Sequence, residues 1–321
     1  MSISKRTLFP ALMVLSTVFS VAFSPLLVIA EAPSRVPTAI ETQLNVWQAI
    51  VLGFVQGATE FLPISSTAHL KAVPVALQWG DPGVAFTAVI QLGSIAAVLW
   101  YFWGDITQVL KGAISAIARK DYQDNNFRIA LGIAIGTLPI VILGLLIKIV
   151  FREFYDNNVR SMMMIAIVSI IMALLMGLAE KIGQRKRGFD KLGMEDGIIM
   201  GFAQALALAP GASRSGSTLT GGLFIGLERE TAARFSFLLG IPAITLSGLV
   251  ELKDLLSGGI GDSGMLTLIA GVLSSAIFSY LAIAWLINFL KTRSTWVFVW
   301  YRLIFGILIL AGIFTGFLPN S

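Results

Sequence analysis

Six uninterrupted apolar stretches, 84–103, 129–150, 162–179, 232–250, 265–290 and 296–318, run through the chain, and each comes close to or exceeds the about 20 apolar residues a helix needs to cross a bilayer. Two further segments, 46–76 and 195–227, follow another pattern. Each is an apolar run cut by a polar, glycine- and proline-bearing stretch. The first cut is Gln56-Gly57-Ala58-Thr59-Glu60-Phe61-Leu62-Pro63-Ile64-Ser65-Ser66-Thr67-Ala68-His69, the second Pro210-Gly211-Ala212-Ser213-Arg214-Ser215-Gly216-Ser217-Thr218. Both segments read as helix, break, helix, with arms too short to cross alone. Proline inside full spans, Pro139 and Pro242, is tolerated where neighbouring helices cover the freed backbone groups.

The charged residues fix an orientation for this pattern. Residues 1–32 read as a signal, with Lys5 and Arg6 before an apolar run and Ala30-Glu31-Ala32 as a small-residue cleavage site, or as an uncleaved anchor, since 8–30 is long enough to span. Either way residue 40 starts outside. If each full span switches sides and each broken segment returns to its own, then Lys111, Arg119, Lys120 and Arg128 fall inside. So do Lys181, Arg185, Lys186, Arg187 and Lys191, and Lys291 with Arg293. The outer loops, 152–160 and 251–262, are balanced and acidic, as the positive-inside rule requires. Trp100, Tyr101 and Trp103, and Trp296, Trp300 and Tyr301, suit interfacial belts.

Three full spans separate the broken segments, so the first enters from outside and the second from inside. Gly53-Phe54-Val55-Gln56 is echoed by Gly201-Phe202-Ala203-Gln204. The predicted fold is an all-α polytopic membrane protein: six transmembrane helices plus two re-entrant helix-loop-helix segments in inverted-topology repeats. The repeat halves run over about 45–180 and 195–318 of one membrane domain, 41–321, after a signal-like or anchor segment and linker over 1–40. Inverted repeats bring such breaks together near the midplane.

Composition agrees and excludes. Of 321 residues 56% are hydrophobic and 13% charged, and the mean hydropathy of +0.84 lies outside the soluble range. With no cysteine and one histidine there are no disulfides and no usual structural zinc site, so a metal would be a hard cation on oxygen ligands. The net charge of +5 sits in short loops and points to no nucleic acid.

The breaks carry the chemistry. Arg214 needs an anionic partner or a wet cavity, because a charge near the bilayer centre costs about 2.5–3.5 kcal/mol on insertion scales. Gln56 and Glu60, four apart, share a helix face. Ser65, Ser66 and Thr67 open the next helix, either as plain caps or as donors beside a positive helix end that favours an anion. His69, one turn beyond Ser66, stands at nucleophile-and-base spacing, with Glu60 to orient or polarise the pair. Ser213, Arg214, Ser215, Gly216 and Ser217 supply hydroxyls, backbone N–H groups and a forked cation suited to phosphate.

At these two stretches the chain resembles the undecaprenyl-pyrophosphate phosphatase (bacitracin-resistance protein) family, whose two signature motifs they match; the likeness extends over roughly 45–319. It implies an integral-membrane enzyme, a phosphoric anhydride hydrolase, of the bacterial inner membrane. Such an enzyme removes the terminal phosphate of undecaprenyl pyrophosphate and returns the monophosphate carrier to cell-wall synthesis, with a site facing the periplasm. Carried onto this sequence, the acidic motif falls on Gln56 and Glu60, the serine and histidine on Ser66 and His69, and the phosphate-binding arginine on Arg214. Glu60, Ser66, His69 and Arg214 are then catalytic. Gln56, Ser65, Thr67, Ser213, Ser215, Gly216 and Ser217 bind substrate. The attacker is Ser66 activated by His69, or else His69 itself or a water. Glutamine at 56 departs from the double-glutamate form, so a metal bridged by two carboxylates is not expected, while Glu60 with substrate oxygens and water could hold Mg2+ or Ca2+. Ala68 stands where glycine is frequent.

A polyprenyl pyrophosphate lipid and the bilayer are the expected partners, and a homodimer is an admissible assembly. The competing function is a transporter or flippase for an anionic lipid or solute, since inverted repeats with broken helices mark transporters. A transporter needs donors for its cargo but no nucleophile and base.

Overall fold

The computed structural model describes residues 44–79, 82–258 and 264–319. The signal or anchor segment and the linker lie outside the described residues, as does the end of the acidic 251–262 stretch. Regular structure among the described residues is helical, apart from one isolated bridge between Arg187 and Leu227. We number the main helices α1 (Val46–Glu60), α2 (Ser66–Ala76), α3 (Gly83–Tyr101), α4 (Trp103–Arg119), α5 (Asn125–Val150) and α6 (Met162–Ile182). The second half holds α7 (Met194–Ala205), α8 (Arg214–Phe224), α9 (Arg229–Gly258), α10 (Met265–Thr292) and α11 (Trp296–Phe314). Side-chain caps start several of them: Asn45 and Gln48 form a reciprocal box at α1, Asp124 accepts from the first turn of α5, and Ser161 from that of α6.

Five of these helices, α5, α6, α9 through Val250, α10 and α11, are long and apolar enough to cross a membrane, and α3 with α4 makes six if that bent pair counts as one. The bend is 64°. Here the structure corrects the sequence reading, in which 84–103 is an unbroken span followed by a basic loop. The span ends at Tyr101, and Lys111 and Arg119 ride on a second helix. That helix is two-faced: Val109, Ala113 and Ala116 are buried, whereas Trp103, Leu110 and Ile114 are exposed. Its apolar residues recur at helical spacing without forming a continuous run, so a search for uninterrupted stretches passes over it.

The broken segments fold as expected into short arms. With 15 and 11 residues, α1 and α2 reach about 22 and 16 Å, well short of a hydrocarbon core of about 30 Å. The arms α7 and α8, with 12 and 11 residues, are alike. The two units also share local backbone. The residue that opens the second arm has positive φ in both, Ser65 at 74° and Ser213 at 68°. At the same interval Gln78 and Gly226 are left-handed at the far ends of those arms. Leu77 N donates to Val73 O and Trp79 N to Pro74 O; their counterparts are Ile225 N to Gly221 O and Leu227 N to Gly222 O.

Long helices exchange partners between the halves: α1 packs along α10, and α7 along α5. Glycine permits both crossings. A Cβ on Gly53 would meet the Gly271 carbonyl at 2.3 Å, and one on Gly201 the Gly136 carbonyl at 2.2 Å. These are backbone-on-backbone contacts of the kind small residues allow between membrane helices. Phe61, in the first break, lies edge-on to Phe237 of α9 at 5.4 Å, which Phe102 also approaches at 5.8 Å. Buried Glu180 near the end of α6 takes a bidentate Arg229 and accepts from the N and Oγ of Thr295, tying the starts of α9 and α11 to α6.

Candidate active site

The two breaks meet. Arg214, the first residue of α8, donates from Nη2 to Glu60 Oε1 at 3.2 Å, and Ser215 Oγ donates to the Leu62 carbonyl at 3.0 Å. Glu60 ends α1 and Arg214 begins α8, so each lies where a helix has broken and its side chain turns into the gap. Their side chains keep 11% and 10% of their surface, sunk but reachable. Gly240 in α9 makes room for the guanidinium, for a Cβ there would fall 1.6 Å from Arg214 Nη1.

The other carboxylate oxygen, Glu60 Oε2, accepts from Ser66 Oγ at 2.7 Å and from Gln56 Nε2 at 3.2 Å. Gln56 sits one turn before Glu60, on the same face as the sequence required. Its amide is oriented by a buried chain of hydroxyls that the sequence reading missed. Gln56 Nε2 also lies 3.4 Å from Ser94 Oγ, Ser279 Oγ donates to Ser94 at 2.8 Å, and Ser275 Oγ is 3.0 Å from Ser94. With two donors aimed at it, Ser94 is left to donate to Ser275, and the amide nitrogen of Gln56 faces Glu60.

His69 is not where its spacing to Ser66 suggested. Its Nδ1 lies 2.7 Å from the Ser65 carbonyl, which can only accept, so Nδ1 donates and Nε2 accepts from the Tyr301 hydroxyl at 2.6 Å. Phe305 stacks on the imidazole at 4.2 Å with the rings 3° from parallel. The helix turn that carries His69 past Ser66 points the ring toward α11, and the Ser66 hydroxyl finds Glu60 instead. The expected hydrogen bond between Ser66 and His69 is therefore replaced by two separate pairs. Tyr301, read from the sequence as a belt residue, is the partner of His69.

The remaining candidates divide by burial. Ser213 caps α8 by accepting from Gly216 N at 3.2 Å, and its hydroxyl lies 3.2 Å from that of Ser215. Thr67 is exposed, at the start of α2. Ser65 and Ser217 are buried, and neither hydroxyl has a hydrogen-bond partner among the described residues. Gly216 has no side chain because Arg302 occupies that place: a Cβ there would lie 2.7 Å from Arg302 Nη1. Arg302 itself was passed over in the sequence. The signal was available, since a lone arginine inside the apolar run 296–318 is as anomalous as Arg214. No three of His, Cys, Asp and Glu cluster among the described residues, and the carboxylate that meets Arg214 and Ser66 is Glu60.

A carboxylate, a hydroxyl hydrogen-bonded to it, a guanidinium and two helix N-termini are gathered where the broken helices meet, and a guanidinium beside helix starts is chemistry that suits an anion. The chain belongs to the bacitracin resistance protein BacA family, whose profile matches residues 49–308. It is 64% identical over 321 residues, the whole of both chains, to an undecaprenyl-diphosphatase of Nostoc sp.. It is 59% identical over 311 residues, 94% of this chain and 95% of the relative, to one of Synechocystis sp.. To one of Prochlorococcus marinus it is 56% identical over 265 residues, 83% of this chain and 90% of the relative.

Proposed function

We propose that the chain hydrolyses undecaprenyl pyrophosphate to undecaprenyl phosphate and inorganic phosphate, with Ser66 as attacker and Glu60 as its base. The observation that carries this assignment is the 2.7 Å hydrogen bond from Ser66 Oγ to Glu60 Oε2, on a carboxylate whose other oxygen faces Arg214. The terminal phosphate lies between the starts of α2 and α8, whose first N–H groups and positive dipole ends favour an anion. Arg214 turns from Glu60 to the phosphate oxygens, where its fork meets two of them at once, and Ser213 and Thr67, which keep some exposure, reach the same oxygens.

Ser66 Oγ forms the bond to the terminal phosphorus, and the bond from that phosphorus to the bridging oxygen breaks. The Ser66 proton moves to Glu60 Oε2 and on to the departing lipid phosphate. Water then attacks the phosphoserine, giving one proton to Glu60. Inorganic phosphate leaves as Ser66 recovers its proton from Glu60. Arg214 and the helix starts carry the charge that builds on the equatorial oxygens, which is most of what phosphoryl transfer asks of a protein. His69, held by Ser65 and Tyr301, anchors α2 to α11 and keeps Ser66 at the first position of its helix.

Glu60 alone does not cage a metal. Its single carboxylate would give a Mg2+ or Ca2+ one protein ligand, and such an ion would supply positive charge for the phosphate oxygens. The broken units act as re-entrant pairs from opposite faces of the bacterial inner membrane, with the site opening to the periplasm, in one membrane domain of two inverted repeats.

The test is phosphate release from a short-chain polyprenyl pyrophosphate by detergent-solubilised Ser66→Ala, Glu60→Gln and Arg214→Lys. Ser66→Ala and Glu60→Gln should each fall by about 10²–10⁴-fold and their combination no further, because nucleophile and base act as a unit. Arg214→Lys keeps the charge but loses the fork, and should lose most turnover. Wild-type turnover in Ser66→Ala, with none in Glu60→Gln, would make Glu60 the base for a water.

A further inference from the structure

Arg302 of α11 is the largest wholly buried side chain, at 0% exposure, and it faces no carboxylate among the described residues. Its donors go to main-chain carbonyls instead. Nη1 donates to Pro63 O at 3.2 Å and to Ala212 O at 3.0 Å, Nη2 to Gly211 O at 2.7 Å, and Nε to Ser169 O at 3.3 Å. Pro63 belongs to the first break, three residues past Glu60, and Ala212 to the second, two residues before Arg214. One guanidinium thus grips both breaks and α6 together. A cation inside a membrane segment is kept only where it has such partners, and main-chain carbonyls are among those it uses.

We propose that Arg302 is the positioning residue of the site, a clip that holds the two helix breaks in register so that Glu60 and Arg214 face the same phosphate. The inference rests on the reading of those two residues as the site. A break leaves carbonyls without helix partners, and a buried carbonyl must be satisfied. A carbonyl met by a separate water or side chain in each break would leave the breaks free to slide. A rigid planar fork that meets carbonyls from both fixes their spacing. The fork is also built around: Gly216, on the first turn of α8, has no Cβ, and one would sit 2.7 Å from Nη1. Lysine cannot replace it, because three donors on one nitrogen do not span four carbonyls spread over three segments.

The natural absence of cysteine permits a direct test. Spin labels on cysteines introduced at Leu77 and Phe224, exposed at the far ends of α2 and α8, report the distance between the units without substrate. The full-length chain and its Arg302→Lys and Arg302→Gln variants would be compared in detergent for that distance, for kcat and KM in phosphate release, and for monodispersity. The expected result is a shifted or broadened distance in both variants. It should come with a fall in kcat of about tenfold or more in Arg302→Lys, larger in Arg302→Gln, and a smaller change in KM, since a displacement of about 1 Å at a reacting centre can cost about 10²-fold. An unchanged distance overturns the clip, whatever the activity. A shifted distance with wild-type kcat overturns the reading of Glu60 and Arg214 as the site, and the positioning role with it. If neither variant yields monodisperse protein, Arg302 serves folding and the proposal fails.

Discussion

Glu60 accepts from Arg214, Ser66 and Gln56, and those three donors decide what its carboxylate can still do. Gln56 contributes a donor where a second glutamate would contribute a charge, so the Glu60 carboxylate is paired with an amide and not with a second anion. Changing Gln56→Glu would remove the N–H donor and place two carboxylates one turn apart. Like charges at that spacing repel, and a proton or a cation relieves them. Activity of Gln56→Glu should therefore depend more steeply on Mg2+ or Ca2+ than the natural chain does, with a lower half-activating concentration and a raised KM in the presence of a chelator. A metal titration of phosphate release reads both, and identical titrations for the two proteins would detach Gln56 from the metal question. At this scale the sequence singled out residues that the structure brings together, because Glu60, Ser66 and Arg214 are polar residues in an apolar chain and such residues are few. It told less about who bonds whom. Helix spacing placed His69 one turn from Ser66, but the left-handed Ser65 that opens α2 and the approach of α11, 232 residues away, send the ring to Tyr301. No local pattern contains that contact.

Helices α1 and α7 are held by crossings in which glycine backbone lies on backbone, and this makes a prediction about elements. Gly53→Ala and Gly201→Ala would each push a methyl into a carbonyl, at 2.3 and 2.2 Å, and overpacking of this kind costs about 1–3 kcal/mol or more. Gly144→Ala, in α5, would meet only the Leu208 methyl at 3.5 Å, and alanine favours helix over glycine by about 1 kcal/mol. Melting in detergent should therefore fall for the first two variants and hold or rise for the third. Equal melting temperatures in all three would mean that the crossings are looser than the structure has them. The short arms themselves were legible from proline, glycine and serine at the breaks. Helix α4 was not, because an amphipathic helix interleaves its apolar residues with Lys111 and Gln108, and its bend from α3 falls at Phe102, whose ring packs against the distant Phe237.

For the molecule as a whole, the matching backbone at Ser65 and Ser213 and at Gln78 and Gly226, with α1 packed on α10 and α7 on α5, is what one unit used twice would leave. The use is unequal in chemistry. Ser66 and Arg214 occupy equivalent first positions of α2 and α8, and Glu60 in one unit corresponds to Leu208 in the other. One copy supplies the carboxylate and the hydroxyl bonded to it, the other the guanidinium that meets them. The four-residue echo at Gly53 and Gly201 falls at the same offset as the shared dihedrals and capping bonds. If the copies are inverted across the membrane, the connection after α5 and the one after α6 must lie on opposite sides. Cysteines at Phe151 and Gln184, both exposed and with α6 the one helix of spanning length between them, test it in an otherwise cysteine-free chain. A membrane-impermeant thiol reagent added to intact cells should label Phe151→Cys and spare Gln184→Cys, which should react only after the membrane is opened. Labelling of both from outside would place α6 off the spanning path, and α1 with α2 could then not enter from the face opposite α7 and α8. Labelling of Gln184→Cys alone would keep the inversion but turn the molecule over, putting the 181–191 arginines and lysines outside against the charge rule that orients it.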